Sequence, residues 1–250
     1  MMRPAGRVRR IGDLLWSAAP KDADERPLRV SGGDRLALDE RVVVDVGGAL
    51  LAGRVMVPER ATGVVVFAHA GSNSRFSPCN RFLAAVLNDA GLGTVLFDLL
   101  TSDEELDRAK LFAIAMLAGR LSELTRRLRR EPTVEAAGIG YLGAGTAAAA
   151  ALWAAAEPGA IVRAVVCRAG RPDLASTRLP AVRAPTLLIV GGHHGALLNL
   201  NQRARTRLCC ENRLIVVPGA THLLDEPGAA TSVAELAREW FIAHLAPLRA

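Results

Sequence analysis

The sequence predicts an α/β protein built on a mostly parallel, eight-stranded twisted sheet with helices on both faces. Three observations predict it. Val/Ile/Leu runs recur along the chain, most of them unbroken apolar stretches of the kind buried on both faces of a parallel sheet. Segments of helical period fill the gaps between them. No internal repeat or low-complexity linker divides residues 36–250, so one domain holds the whole alternation.

Strand-like runs cover Arg41–Val46, Leu50–Val57, Val64–His69, Thr94–Asp98, Gly138–Leu142, Ile161–Cys167, Thr186–Val190 and Arg213–Val217. The first two have no helix between them and imply an antiparallel start. A helix over Asn80–Ala90 places Phe82, Leu83, Val86 and Leu87 at helical spacing, with Gly91 as its stop. Asp103–Arg130 reads as one long helix that begins in acids after Ser102 and ends in arginines, complementing both ends of the helix dipole. Thr146–Ala156, Gly195–Leu208 and Thr231–Leu245 complete the helical set. Residues 1–35 stand apart as a basic, loosely docked or mobile arm. Its short apolar cluster (Ile11, Leu14, Leu15, Trp16) reads as one docked helical turn or as an amphipathic handle for a partner.

Composition excludes several function classes. At 50% hydrophobic and 22% charged the 250 residues are too apolar for a disordered chain. The run Ala147–Ala156, ended by Glu157-Pro158-Gly159, is far shorter than the ~18–20 residues that cross a bilayer. Four cysteines (Cys79, Cys167, Cys209 and Cys210) show neither a disulfide framework nor zinc spacing, and no signal-peptide core precedes them, so the cytoplasm is expected. The net charge of +6 falls in clusters, at Arg3, Arg7, Arg9 and Arg10 and again at Arg126, Arg127, Arg129 and Arg130. Aromatics are only 4% and no recognition motif accompanies the charge, so neither nucleic acid nor membrane is expected as a partner. A homo-oligomer, or a protein partner reached through the arm, stays open.

In doubly wound sheets chemistry sits at the carboxyl ends of the strands. After 64–69 comes His69-Ala70-Gly71-Ser72-Asn73-Ser74, small residues whose backbone N–H groups can approach a ligand closely. Later strands end in Asp98-Leu99-Leu100-Thr101, Gly143-Ala144-Gly145-Thr146, Gly191-Gly192-His193-His194 and Pro218-Gly219-Ala220-Thr221-His222. From about residue 40 to 246 this order resembles the α/β-hydrolase fold and, within it, the dienelactone-hydrolase-like group. The resemblance is carried by Phe67-Ala68-His69, Arg75-Phe76-Ser77-Pro78-Cys79-Asn80-Arg81, Leu96-Phe97-Asp98-Leu99-Leu100-Thr101 and Gly140-Tyr141-Leu142-Gly143-Ala144. Gly170-Arg171-Pro172-Asp173-Leu174, Pro185–Gly192 and Pro218–Gly228 extend it.

That resemblance implies a serine on a G-x-S-x-G turn, an acid after the strand at 186–190 and a late histidine. Gly145 stands at the serine position, Ala147 replaces the second glycine and His194 takes the acid's place; only His222 remains. Ordinary Ser-His-Asp hydrolysis is therefore not expected. The oxyanion donors are backbone groups, near Gly71 and at Thr146, and survive such replacement; the Thr146 side chain is expected to cap its own helix. Ser72, Asp98 and Arg171 complete the expected ligand-binding set, with Arg171 and Asp173 pairing to hold a loop. The implied function is a pseudo-hydrolase, or a non-hydrolytic enzyme using His222 as acid/base on a small carbonyl compound. The alternatives are a binding module without catalysis and a metal-assisted hydrolase built on His194 and His222 with His69. Four of the five histidines (His69, His193, His194, His222) fall at this edge. No cofactor is expected. Cys79 stands at a helix start, where a thiol is either a packing residue or a relocated nucleophile.

Overall fold

The computed structural model describes the backbone of residues 9–11 and 14–16, and residues 36–71, 74–132, 134–135, 137–224 and 226–245. Near the start, β1 (Arg9–Ile11) and β2 (Leu14–Trp16) form a two-stranded antiparallel ladder, so the apolar cluster is strand rather than the helical turn its spacing suggested. The rest of the basic arm lies outside the described residues.

The main sheet opens with β3 (Leu36–Val46) and β4 (Ala49–Pro58), paired antiparallel across a turn at Gly47 and Gly48. There follow β5 (Gly63–His69), α1 (Pro78–Asp89), β6 (Leu92–Asp98), α2 (Ser102–Glu105), α3 (Arg108–Leu111), α4 (Ile114–Leu128), β7 (Gly138–Gly145) and α5 (Thr146–Ala155). The chain continues through β8 (Val162–Gly170), β9 (Thr186–Gly191), α6 (Gly195–Arg205), β10 (Asn212–Val217) and α7 (Pro227–Leu245). Strand order is β3-β4-β6-β5-β7-β8-β9-β10, with β6 antiparallel to β4 and every later pairing parallel. This is the mostly parallel eight-stranded sheet that the sequence predicts.

Two apolar layers hold the helices on. In β5 the period-two alternation sends Val64, Val66 and Ala68 into one layer and Val65 and Phe67 into the other, and all seven residues are buried. Leu117, Leu121 and Leu124 of α4 and the alanines of α5 cover the first face; Leu83 and Leu87 of α1 and Val233, Ala237 and Phe241 of α7 cover the second. Among the described residues no helix is long and apolar enough to cross a membrane.

One expected element is corrected. The long helix over Asp103–Arg130 is three helices, because polar caps compete with continuation. Thr101 and Glu104 form a reciprocal capping box around α2, and Asp107 accepts from the Ala109 N–H to start α3. The terminal arginines are consumed locally: Arg126 and Arg127 pair with Glu123, and Arg129 donates to the Ala137 carbonyl.

Candidate active site

Parallel strands bring their carboxyl ends to one edge, and the loops leaving β5, β6, β7, β8, β9 and β10 gather there. At the end of β7 the chain turns sharply into α5. Gly145, the N-cap residue, has φ 56° and ψ −128°, a conformation that is strained for any residue with a Cβ. A Cβ built on it would meet nothing within 4 Å. Among the described residues, its two chain neighbours aside, nothing fills the space where a side chain would project. Thr146 is the first helical residue, and no side-chain hydrogen bond caps the helix, so its expected capping role is corrected. Its backbone N–H lies in the first turn of α5, where helix donors have no intrahelical acceptor.

Gly71, half-buried, follows β5 by two residues; Ser72 lies outside the described residues. Asp98 ends β6, 1% exposed, and is ion-paired with Arg75 from the loop before α1. Beyond it, Arg120 donates to Glu104 and to the Leu99 carbonyl, fixing the loop after β6. These Arg120 hydrogen bonds hold the Glu104 carboxyl down to about 2. Arg171 makes a bidentate pair with Asp173 at 2.8 and 2.7 Å, and its backbone N–H donates to the Gly145 carbonyl at 2.9 Å. The expected loop-holding pair is present, and it braces the turn itself.

The two late histidines meet as the sequence order implies. His194 and His222 are exposed, with ring centroids 5.4 Å apart and planes tilted by 53°. His194 has a structural role of its own. Its Nδ1 accepts from the Leu197 N–H at 3.1 Å as the N-cap of α6, so a neutral ring carries its proton on Nε2. An imidazole in that tautomer has no negative charge to orient a second one. His222 sits on a loop held by backbone contacts. A Cβ on Gly191 would lie 2.0 Å from the Thr221 carbonyl oxygen, so only glycine permits the loop to rest on the end of β9. His193 donates its N–H to the Ala220 carbonyl, and the Glu226 carboxylate accepts from the Thr221 N–H at 2.9 Å, which lowers that carboxyl below its usual range. Glu226 is a positioning residue that sequence reasoning missed.

His69 does not join this pair. It ends β5, 6% exposed, and burial together with the nearby Arg168 guanidinium lowers its imidazole to about 3. Among the described residues no group of three His, Cys, Asp or Glu side chains is placed to hold a metal ion, so the proposed set of His194, His222 and His69 is not assembled. A separate cavity of about 410 Å³, with Ser122, Arg126, Tyr141 and Glu157 in its wall, reaches Val162 at the amino end of β8. It belongs to the opposite edge of the sheet.

The chain matches no protein-family model. Among solved structures it is similar to a dienelactone hydrolase from Anabaena variabilis, at 48% identity and a TM-score of 0.78, covering 83% of this chain and 98% of that one. The chain belongs to the dienelactone-hydrolase family. A dienelactone hydrolase-like promiscuous phosphotriesterase from metagenomic libraries shares the fold at 17% identity, with a TM-score of 0.68 over 83% of this chain and 98% of that one. In Mycobacterium tuberculosis, proteins of two strains carrying the provisional name phosphoribosyl transferase are 53% identical over 233 residues, 93% of this chain and 51% of theirs. The chain spans about half the length of these curated relatives. Within the dienelactone-hydrolase family member described here, the β7–α5 turn has the strand–turn–helix shape of a nucleophile elbow.

Proposed function

We propose that this dienelactone-hydrolase family member binds a small carbonyl compound at the carboxyl edge without forming an acyl-serine, with His222 as its acid/base. The observation that carries this reading is Gly145. The elbow conformation is kept at φ 56°, Gly145 itself carries no hydroxyl, and a Cβ there would meet no described residue other than its chain neighbours within 4 Å. The Thr146 N–H supports an enolate or carboxylate oxygen at a helix N-terminus. His222 is supported as a proton carrier by its exposure and by the absence, among the described residues, of a carboxylate bonded to it. With His194 committed to α6, no triad-like acid among the described residues orients His222, which disfavours serine-type acyl transfer.

The test reinstates what is missing. Wild-type protein should resist a fluorophosphonate probe, whereas Gly145→Ser combined with His194→Asp should label at the new serine. That double variant should also hydrolyse p-nitrophenyl acetate on the order of 10²-fold faster than wild type. Labelling of wild-type protein at any serine, including Ser72, Ser74 or Ser77, would overturn the reading. A second reading, a binding module, rests on the longer Mycobacterium tuberculosis relatives: this domain would accompany a phosphoribosyl transfer activity carried by another part of the protein. A turnover abolished by His222→Ala separates the first reading from the second.

A further inference from the structure

Two side chains and a backbone carbonyl from three distant segments meet at one corner of the site. Cys79, half-buried, is the second residue of the twelve-residue helix α1. Arg168, near the end of β8 and 9% exposed, places Nη1 2.6 Å from the Cys79 sulfur. The Leu224 carbonyl oxygen, two residues beyond His222, lies 4.0 Å from the same sulfur. Arg168 also interacts electrostatically with His69. The corner therefore joins the ends of β5 and β8, the start of α1 and the His222 loop.

Its polar groups are poorly satisfied by the protein alone. Arg168 Nε and His69 Nε2 are buried without hydrogen-bond partners, and among the described residues no carboxylate pairs with Arg168. An orphaned buried polar group is costly, and a buried cation without a counter-charge costs more. A packing cysteine needs no cation beside it. The backbone is strained at the same place: among the described residues only Ala169 (φ 46°) and Leu224 (φ 53°) have positive φ without being glycine, one following Arg168 and the other touching Cys79. The corner thus sets a buried guanidinium against one sulfur, with two strained residues flanking that contact and an orphaned imidazole nitrogen on the residue next in line from the guanidinium.

We propose that Cys79 is a nucleophilic thiol of this site, taking an acyl group from an activated ester or thioester, with Arg168 as the positioning residue that holds charge on the sulfur. The proposal goes beyond the non-hydrolytic reading and rests on it, since it supposes an elbow without its own nucleophile. The thiol gives its proton to solvent, the sulfur electron pair attacks the carbonyl carbon, and a C–S bond forms. The bond to the leaving group breaks, and that group departs with its electron pair as a phenolate, alkoxide or thiolate. No oxidant or reductant is needed.

The test competes cysteines within the native full chain. Cys209 is exposed and Cys79 only half-buried, so accessibility alone favours Cys209. With limiting iodoacetamide, peptide mass spectrometry should instead find Cys79 alkylated about 10-fold faster. Arg168→Met should erase that advantage, and Arg168→Lys, which keeps the charge, should restore part of it. p-Nitrophenyl acetate should leave one hydroxylamine-labile acetyl group on Cys79, absent from Cys79→Ser. Should Arg168→Met fail to fold, Arg168→Lys and Cys79→Ser still decide the matter. Equal or faster labelling of Cys209, or an acetyl group on another residue, would overturn the proposal. A serine labelled by fluorophosphonate defeats the reading of the elbow instead, whatever Cys79 does.

Discussion

The β7–α5 turn and the corner of His69, Cys79 and Arg168 lie at the same sheet edge and are held together in opposite ways. The turn keeps a shape: Gly145 holds φ 56°, Arg171 braces its carbonyl, and a Cβ on the glycine would meet no described residue other than its chain neighbours within 4 Å. The corner keeps side chains, with a buried cation against a sulfur and two nitrogens lacking partners. Shape held by glycine costs little, because without a Cβ the positive φ carries no steric strain. Reactive polarity in a buried corner is expensive. Fold stability should therefore be sensitive to the corner's charges and, around the turn, only to backbone contacts.

The largest expected effect is on acid stability and comes from the corner. His69 falls from 6.5 to about 3 in the folded protein, through burial and then Arg168. The unfolded chain binds a proton below pH 6.5 that the folded protein excludes. The stabilisation is thus fully present above pH 6.5 and is lost as pH falls from 6.5 toward about 3. The loss should total on the order of 4 kcal/mol. Urea unfolding of wild type and His69→Gln across this window should show two curves that diverge steadily. Parallel curves would mean that the imidazole titrates freely, and the contrast between corner and turn would fail.

A smaller effect separates two glycines of the edge. Gly191→Ala drives a Cβ to 2.0 Å from the Thr221 carbonyl oxygen, backbone against backbone, and should cost more than about 3 kcal/mol and displace the His222 loop. Gly145→Ala meets open space and should cost only the strain of its positive φ, roughly 1–3 kcal/mol. Chemical denaturation of both variants measures the difference. A Gly145→Ala cost equal to or above that of Gly191→Ala would show that the turn is under a steric constraint other than φ.

These contrasts also mark what the amino-acid order carries. All eight strands of the sheet are readable, the central ones because Val/Ile/Leu runs buried on both faces have few other solutions and the edge strands β3 and β10 because their apolar runs are short and bounded; their ends moved by a few residues, as with Leu36 against Arg41. The helix over 103–130 misled because Thr101 and Asp107 act as caps inside a helical period, and a cap is visible only when its partner N–H is. Gly145 and the His194–His222 contact follow from the resemblance, since both depend on positions fixed by strand ends. The bond from Arg168 to Cys79 spans 89 residues, and no local pattern announces it. What the sequence offered was a cysteine at a helix start; the buried cation beside it needed the fold.

Arg168→Met gives the smallest effect on stability. Methionine has a similar reach, carries no charge, and leaves neither an orphaned Nε nor a desolvated guanidinium in the corner. Replacing a buried charge that has no carboxylate partner among the described residues by an apolar group should raise stability at neutral pH by about 1 kcal/mol, read as a higher midpoint in urea. His69, relieved of the neighbouring cation, should also titrate closer to its ordinary value, which narrows the acid window of the first experiment. A variant that is more stable while its Cys79 loses preferential alkylation places the arginine with residues kept for chemistry at the expense of the fold. A variant that is less stable makes Arg168 a structural strut, and the corner would then resemble the turn: architecture retained without reactivity.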